Sequence, residues 1–118
     1  MKIISIKHHG ILDYITVLAF ALIPTIFGLE GTPAYLSYAL AAIHLLMTLL
    51  TAFPLGVAKL VPVKLHKLVE TIVGPVLIIA PWVLGFSENL TARSVYIGMG
   101  VIIIAVGLLT DYFGPSRA

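Results

Sequence analysis

The sequence predicts an all-α integral membrane protein, a four-helix bundle built from two parallel two-span repeats. Three observations lead to this fold class. The 118-residue chain is 60% hydrophobic and only 10% charged, which is far more apolar than an average soluble domain. The few charges separate four apolar stretches, and one pattern of residues occurs twice. We expect a single transmembrane domain over residues 1–118, with repeat one at about 9–56 and repeat two at about 66–114.

Each of the four apolar stretches is long enough to cross a bilayer, whose hydrocarbon core of about 30 Å takes about 20 helical residues. Only a helix satisfies its own backbone in lipid, so each stretch predicts a helix and not a strand. Prolines inside the stretches are tolerated where neighbouring groups cover the freed carbonyls. The stretches are residues 11–29, 33–54, 68–86 and 93–113.

The cationic residues predict how the bundle lies in the membrane. Arg93 alone falls on the side of Glu30 and Glu88, whereas six cationic residues fall on the other side. Lysine and arginine accumulate in cytoplasmic loops, so both termini and the middle loop should face the cytoplasm. A cleavable signal peptide is not expected, because the first stretch lacks a small-residue cleavage site. The six cationic residues are Lys2, Lys7, Lys59, Lys64, Lys67 and Arg117.

An internal repeat relates the two halves of the chain. The pattern H-x3-[DE]-x10-P-x3-G occurs twice, 57 positions apart, and "LLTAFPLG" (49–56) resembles "GLLTDYFG" (107–114) with a shift of one or two residues. Because two spans return the chain to its starting side, we expect parallel copies around a pseudo-two-fold axis along the membrane normal. The matched pairs are His9 and His66, Asp13 and Glu70, Pro24 and Pro81, and Gly28 and Gly85.

The segment "APWVLGF" (80–86), followed by a polar loop and the stretch "YIGMGVIIIAVGLL", resembles the SPW repeat family of small bacterial membrane proteins. Alanine stands where the family's Ser-Pro-Trp motif has serine, and the first copy, "IPTIFGL" (23–29), has threonine at the tryptophan position. The resemblance implies a two-span repeat in a bacterial inner membrane. It implies no particular biochemical activity.

Paired histidines and carboxylates form the first candidate site. His9 and Asp13 are four residues apart, as are His66 and Glu70, so each pair shares a helix face. Neutral imidazole and carboxylate are ligands for a divalent metal such as zinc. A carboxylate also favours a protonated imidazole beside it. If the repeat axis brings the first and third helices together, these four side chains converge on a metal or proton site.

A solvated collar of ion pairs is the simpler interpretation of the same residues. A histidine and an acid in the first turn of a helix are ordinary interfacial residues, and carboxylates favour the positive end of the helix dipole. Lys7 and Lys67 lie near enough in sequence to act as partners. Asp111, at the end of the last span, can join either arrangement.

His44 lies near the middle of the second span, with no charge between Gly31 and Ala58. Such a group needs a hydrogen-bond partner or a place inside the bundle. We favour a structural histidine bonded to Thr48, a tyrosine or a backbone carbonyl over a ligand or proton-relay role. Packing and anchoring at the interface are expected from Pro24, Gly28, Pro81, Trp82 and Gly85, and close helix packing from Gly98, Gly100 and Gly107.

Three functions remain after the motif search. The chain has no cysteine, no phosphate-binding glycine loop and no catalytic motif, so an enzyme is the least supported class. We favour a non-enzymatic accessory module that packs in the bilayer with a larger membrane complex or as a homo-oligomer, without nucleic acid or a cofactor. The alternative is a divalent metal- or proton-binding or transporting protein that uses the paired groups. A small drug exporter fits poorly, because Asp13 lies at the mouth of its span.

Overall fold

The computed structural model describes residues 2–113, and its four long helices confirm the predicted all-α four-helix class. Helix α1 packs along α2, and α3 packs along α4, so the chain forms two helical hairpins. The predicted end of repeat two at residue 114 and the predicted cytoplasmic Arg117 lie outside the described residues. The elements in order are β1 (Ile4–Ser5), α1 (Ile6–Phe27), α2 (Thr32–Leu50), α3 (Val63–Val83), α4 (Leu90–Leu109) and β2 (Thr110–Asp111).

Three of the described helices, α1, α2 and α4, are long and apolar enough to cross a membrane. Helix α3 is not among them, and it carries Lys64, Lys67 and Glu70 among its first eight residues. The predicted crossing by residues 68–86 therefore stays a prediction. Large apolar side chains such as Leu18, Ile43 and many others are exposed on the outside of the bundle, as a lipid environment requires. The protein is a membrane protein.

The helices begin earlier than the apolar stretches suggest, and this changes the position of the candidate site. The side chain of Ser5 accepts a hydrogen bond from the backbone N–H of His8 at 3.2 Å and caps α1. Helix α1 therefore includes the polar residues before position 11. His9 and Asp13 are consequently the fourth and eighth residues of α1, beyond its first turn. His66 and Glu70 are likewise the fourth and eighth residues of α3.

The repeated P-x3-G pattern ends a helix in both halves. The backbone N–H of Leu29 donates to the carbonyl of Pro24 at 2.9 Å, and Gly28 between them has a left-handed φ of 63°. This is the helix-ending geometry in which glycine avoids steric strain. The pattern therefore ends each helix, beyond the packing role that the sequence predicts for it. The corresponding residues after α3 are Phe86, Pro81 and Gly85, with an N···O distance of 2.8 Å and a φ of 81°.

Helices α3 and α4 come closest where two glycines face each other. A Cβ atom added to Gly100 would lie 2.6 Å from the carbonyl oxygen of Gly74, so only glycine fits there. Gly98 faces open space, and a Cβ on Gly107 would lie 3.7 Å from the Tyr112 hydroxyl. Of the three predicted packing glycines, Gly100 is thus the one at a close helix contact. The buried apolar core near this contact includes Phe20, Ile23, Leu77, Tyr96 and Ile103.

Candidate functional site

Short strand contacts bring the ends of the two hairpins together. Strands β1 and β2 pair in parallel, with Ile4 opposite Thr110. A parallel bridge also joins Thr51 to Val61. Ile4 and Val61 are 57 positions apart, the same spacing as the sequence repeat. The start of each hairpin therefore contacts the end of the other, which supports the predicted pseudo-two-fold axis. The axis itself stays a prediction.

The four paired residues converge on one point between α1 and α3. Each offers one possible ligand atom, and these atoms all lie within 4.8 Å of one another. All four residues are buried, with exposed fractions between 0% and 8%. A solvated collar does not describe them, because their side chains are buried where the two hairpins meet. The four residues are His9, Asp13, His66 and Glu70.

Both imidazoles direct the Nε2 atom toward the carboxylates. The Nε2 atoms of His9 and His66 lie 2.8 Å and 2.6 Å from Glu70 Oε1. His9 Nε2 lies 3.3 Å from Asp13 Oδ1, and His66 Nε2 lies 3.0 Å from Asp13 Oδ2. Each histidine therefore contacts the carboxylate of its own helix and that of the other helix.

A threonine hydroxyl orients the ring of His9. Thr110 Oγ1 lies 2.8 Å from His9 Nδ1 and donates its only hydrogen to the carbonyl of Val106 at 2.7 Å. Because a hydroxyl has one hydrogen, Nδ1 must be the donor in the contact with His9. The proton of a neutral His9 ring is thus fixed on Nδ1. This leaves the Nε2 lone pair facing the carboxylates.

The ring of His66 is held in the same way from the other hairpin. Thr51 Oγ1 lies 2.7 Å from His66 Nδ1 and donates to the carbonyl of Met47 at 2.6 Å. Both threonines are fully buried. Sequence analysis did not identify them as site residues, although the "LLT" of the two halves was visible as part of the repeat. Hydrogen bonding by the remote ring nitrogen is how proteins commonly fix histidine ligands.

The contacts at Nε2 require a proton or a metal cation between the nitrogen and the carboxylate oxygen. Two neutral rings would place Nε2 lone pairs 2.6–2.8 Å from carboxylate oxygen, and two acceptors repel each other at that separation. Either a proton on each ring or a metal cation removes the repulsion. His66 Nε2 and Asp13 Oδ2 also lack a directed hydrogen bond, although both are buried. A metal ion on the in-plane axis of the His66 ring would satisfy Nε2 without requiring a carboxylate oxygen to lie on that axis.

His44 contributes a third imidazole at the edge of the cluster. Its Nε2 lies 3.4 Å from Asp13 Oδ1, and its side chain is 12% exposed. The hydroxyl of Thr48 donates to the backbone carbonyl of His44 at 2.7 Å and does not bind the ring. Of the three predicted kinds of ring partner, Thr48 does not bind the ring, and Nε2 instead contacts Asp13. The rotation of α2 against α1, which sequence does not specify, brings the ring to Asp13.

Other residues near the cluster differ from their predicted roles. Asp111 pairs with Ser5 in the two-stranded sheet and is not one of the four converging residues. Lys67, expected as a carboxylate partner, lies with Nζ 5.5 Å from the ring centroids of Tyr112 and Phe113. The Tyr112 ring covers His9 at a centroid distance of 4.9 Å. Burial, and then the nearby carboxylates, raise the pKa of Tyr112 well above its usual value, so its phenol stays neutral.

Comparison with known proteins identifies one related family. The model described as the SPW repeat domain matches residues 7–110. The match covers both histidine and carboxylate pairs and both threonines that contact the histidine rings. No curated protein and no solved structure matches the chain.

Proposed function

This chain belongs to the SPW repeat family, and we propose that it is a non-enzymatic membrane protein that binds one divalent metal ion between its two helical hairpins. The observation that carries the proposal is the convergence of four buried ligand atoms within 4.8 Å. Two carboxylates and a divalent cation together carry no net charge, which reduces the cost of burying them. Imidazole and carboxylate ligands suit zinc, iron and nickel, whereas the absence of thiolate disfavours soft ions such as Cu(I).

The interatomic distances support an ion at the centre of the cluster. Ligand atoms about 2.1 Å from an ion, at a tetrahedral angle, lie about 3.4 Å from each other. The contacts between histidine nitrogen and carboxylate oxygen span 2.6–3.3 Å. Ion binding therefore requires these nitrogen–oxygen pairs to separate by less than about 1 Å.

Metal content of gently purified protein is the test. We expect about one zinc, iron or nickel per chain by elemental mass spectrometry, and less than a tenth of that in the His9→Ala/His66→Ala variant. His8→Ala is the matched control, because His8 is a neighbouring but exposed histidine. Asp13→Asn/Glu70→Gln preserves side-chain size and should also lose the metal. A metal-free protein that stays metal-free when supplied with each of these ions would contradict the proposal.

Proton binding at the same cluster is a second candidate. The shortest contacts, 2.6 Å and 2.8 Å from the histidine Nε2 atoms to Glu70, are hydrogen-bond distances. One proton on each ring would satisfy the same requirement for positive charge. This candidate gains support if the folded protein takes up none of the ions.

An accessory role in a larger complex or a homo-oligomer is a further candidate, and an open groove favours it. A cavity of about 530 Å³ between α1 and α4 includes Gly98 in its lining, and Gly98 faces open space. Small residues in such a groove allow another transmembrane helix to approach closely. If helices of a second copy pack there, Gly98→Leu will shift the protein toward the monomer in detergent, as measured by sedimentation. An unchanged mass would exclude self-association through this groove.

Membrane orientation completes the proposal. We place the protein in the bacterial inner membrane, with both termini and the middle loop in the cytoplasm. Four lysines near the starts of α1 and α3 support this orientation, since positive residues favour the cytoplasmic side. The metal site then lies toward the cytoplasmic end of the bundle. The four lysines are Lys2, Lys7, Lys64 and Lys67.

A further inference from the structure

We propose that His44 is a fifth ligand of the same metal ion, so that the site contains three imidazoles and two carboxylates. This inference rests on the proposed metal-binding function. His44 lies on α2, whereas the other four ligands lie on α1 and α3. The ion therefore has an additional ligand on the side of α2, with no counterpart on the other side of the cluster.

The position of the His44 ring suits a metal ligand, although the ring also forms a long hydrogen bond to Asp13. Its Nε2 lies 3.4 Å from Asp13 Oδ1, beyond the usual N–H···O range of 2.7–3.2 Å. Two ligand atoms about 2.1 Å from one five-coordinate ion lie about 3.0 to 3.6 Å apart at angles of about 90–120°. Asp13 Oδ1 already lies 3.3 Å from the Nε2 of His9. His44 and His9 thus approach the same carboxylate oxygen at nearly the same distance.

The ring of His66 also lies at similar distances from the other two imidazoles. The ring centroids of His44 and His66 are 6.4 Å apart, and those of His9 and His66 are 5.9 Å apart. All three rings have an Nε2 atom next to a site carboxylate.

The surroundings of His44 give it no other evident reason to be polar. Helix α2, Thr32–Leu50, contains no acidic or basic residue besides this histidine, and it is one of the three helices able to cross a membrane. A polar ring in such a helix is costly without a partner. The Thr48 hydroxyl bonds the backbone of His44 and leaves its ring to the cluster.

Duplication of the repeat does not account for His44. Gene duplication alone can preserve the paired groups on α1 and α3, because both halves contain them. Thr51 and Thr110 correspond with a spacing of 59 residues, and at that spacing the counterpart of His44 is Ile103. The imidazole is therefore specific to one half. It lies next to Asp13, the shorter of the two acids, which leaves more room for an additional ligand.

Cobalt(II) is the probe that tests this inference, because its visible absorption reports coordination number. The full-length wild-type protein with one Co²⁺ should show a weak five-coordinate spectrum. His44→Ala should still bind one Co²⁺, with a more intense, shifted, four-coordinate spectrum and an affinity lower by about tenfold or more. His44→Gln should match His44→Ala, because it retains hydrogen bonding to Asp13 but lacks the imidazole. His8→Ala, which removes an exposed histidine outside the cluster, is the control and should keep the wild-type spectrum.

The outcomes separate the two proposals. If the wild-type protein binds one Co²⁺ and His44→Gln keeps the wild-type spectrum, His44 only positions Asp13 and this inference is wrong. X-ray absorption of the wild-type cobalt protein counts the imidazole ligands without the need for a variant. Three imidazoles support the inference, and two overturn it. If the wild-type protein binds neither Co²⁺ nor zinc, iron or nickel, the proposed function fails, and the inference fails with it. If it binds one of those three ions but not Co²⁺, X-ray absorption on the bound ion counts the imidazoles in the same way.

Discussion

At the scale of single residues, two threonines determine what the histidines can do. The hydroxyls of Thr110 and Thr51 donate to helix carbonyls and accept from His9 and His66. Both rings therefore present Nε2 to the carboxylates. The convergence of the paired residues was foreseeable from their shared helix face and the repeat. The threonines were not foreseeable as partners, because their hydrogen bonds join opposite hairpins and depend on how the hairpins pack.

Removal of a threonine hydroxyl should weaken metal binding without abolishing it. Thr110→Val and Thr51→Val leave a ring nitrogen without its acceptor, so we expect metal affinity to fall about 10- to 100-fold at unchanged stoichiometry. Competition with a chromogenic chelator measures this change. Thr110→Ser should retain most of the affinity, since serine keeps the hydroxyl.

A matched control for these variants lies on α3. The Thr71 hydroxyl bonds the carbonyl of Lys67 at 2.7 Å in the same way, but it is exposed and has no histidine partner among the described contacts. Thr71→Val should leave the affinity unchanged. An equal loss of metal affinity in Thr71→Val and Thr110→Val would mean that the hydrogen bond from the hydroxyl to the helix carbonyl determines the affinity, and not the orientation of the histidine ring.

At the scale of elements, apolar length predicted the four helices but misplaced their starts. The stretch predicted from residue 11 begins as a helix at Ile6, because Ser5 caps it and the polar residues after Ser5 join the first turns. That shift of five residues places His9 and Asp13 beyond the first turn of α1, and the meeting of the two hairpins buries them. The two-residue strands were not predicted, because such short pairing follows from contact between the hairpins and leaves no periodic signal in the sequence.

The close contact between α3 and α4 gives a prediction for Gly100. A Cβ there would lie 2.6 Å from the Gly74 carbonyl oxygen and 2.7 Å from Ile78 Cγ1. Gly100→Ala must push the two helices apart, and we expect it to lower the free energy of unfolding by about 2 kcal/mol. Thermal or denaturant unfolding in one fixed detergent measures this change.

Gly98 provides the comparison for Gly100 on the same helix. A Cβ on Gly98 meets nothing within 4 Å, and alanine is the better helix former by about 1 kcal/mol. Gly98→Ala should therefore be neutral or stabilising. If both variants lose the same stability, the close approach of α3 and α4 at Gly100 is not a significant packing constraint.

At the scale of the whole molecule, the two hairpins are joined through their site. The start of each hairpin pairs with the end of the other, and the histidines and acids of α1 and α3 meet between them. Composition was sufficient to predict a membrane protein with four helices. It could not establish that α3 crosses the membrane, because this helix places lysines and an acid in its first turns. One experiment tests both the orientation of the bundle and the crossing of the membrane by α3.

Labelling of single cysteines tests both points, because the chain has no natural cysteine. Glu30→Cys and Glu88→Cys place a thiol in the loops after α1 and α3, and Leu60→Cys places one in the middle loop. All three positions are exposed. The positive-inside distribution of charge predicts that a membrane-impermeant maleimide labels the first two in intact spheroplasts and labels Leu60→Cys only after permeabilisation. Labelling of Leu60→Cys alone would invert the topology, and protection of Glu88→Cys together with Leu60→Cys would mean that α3 does not cross.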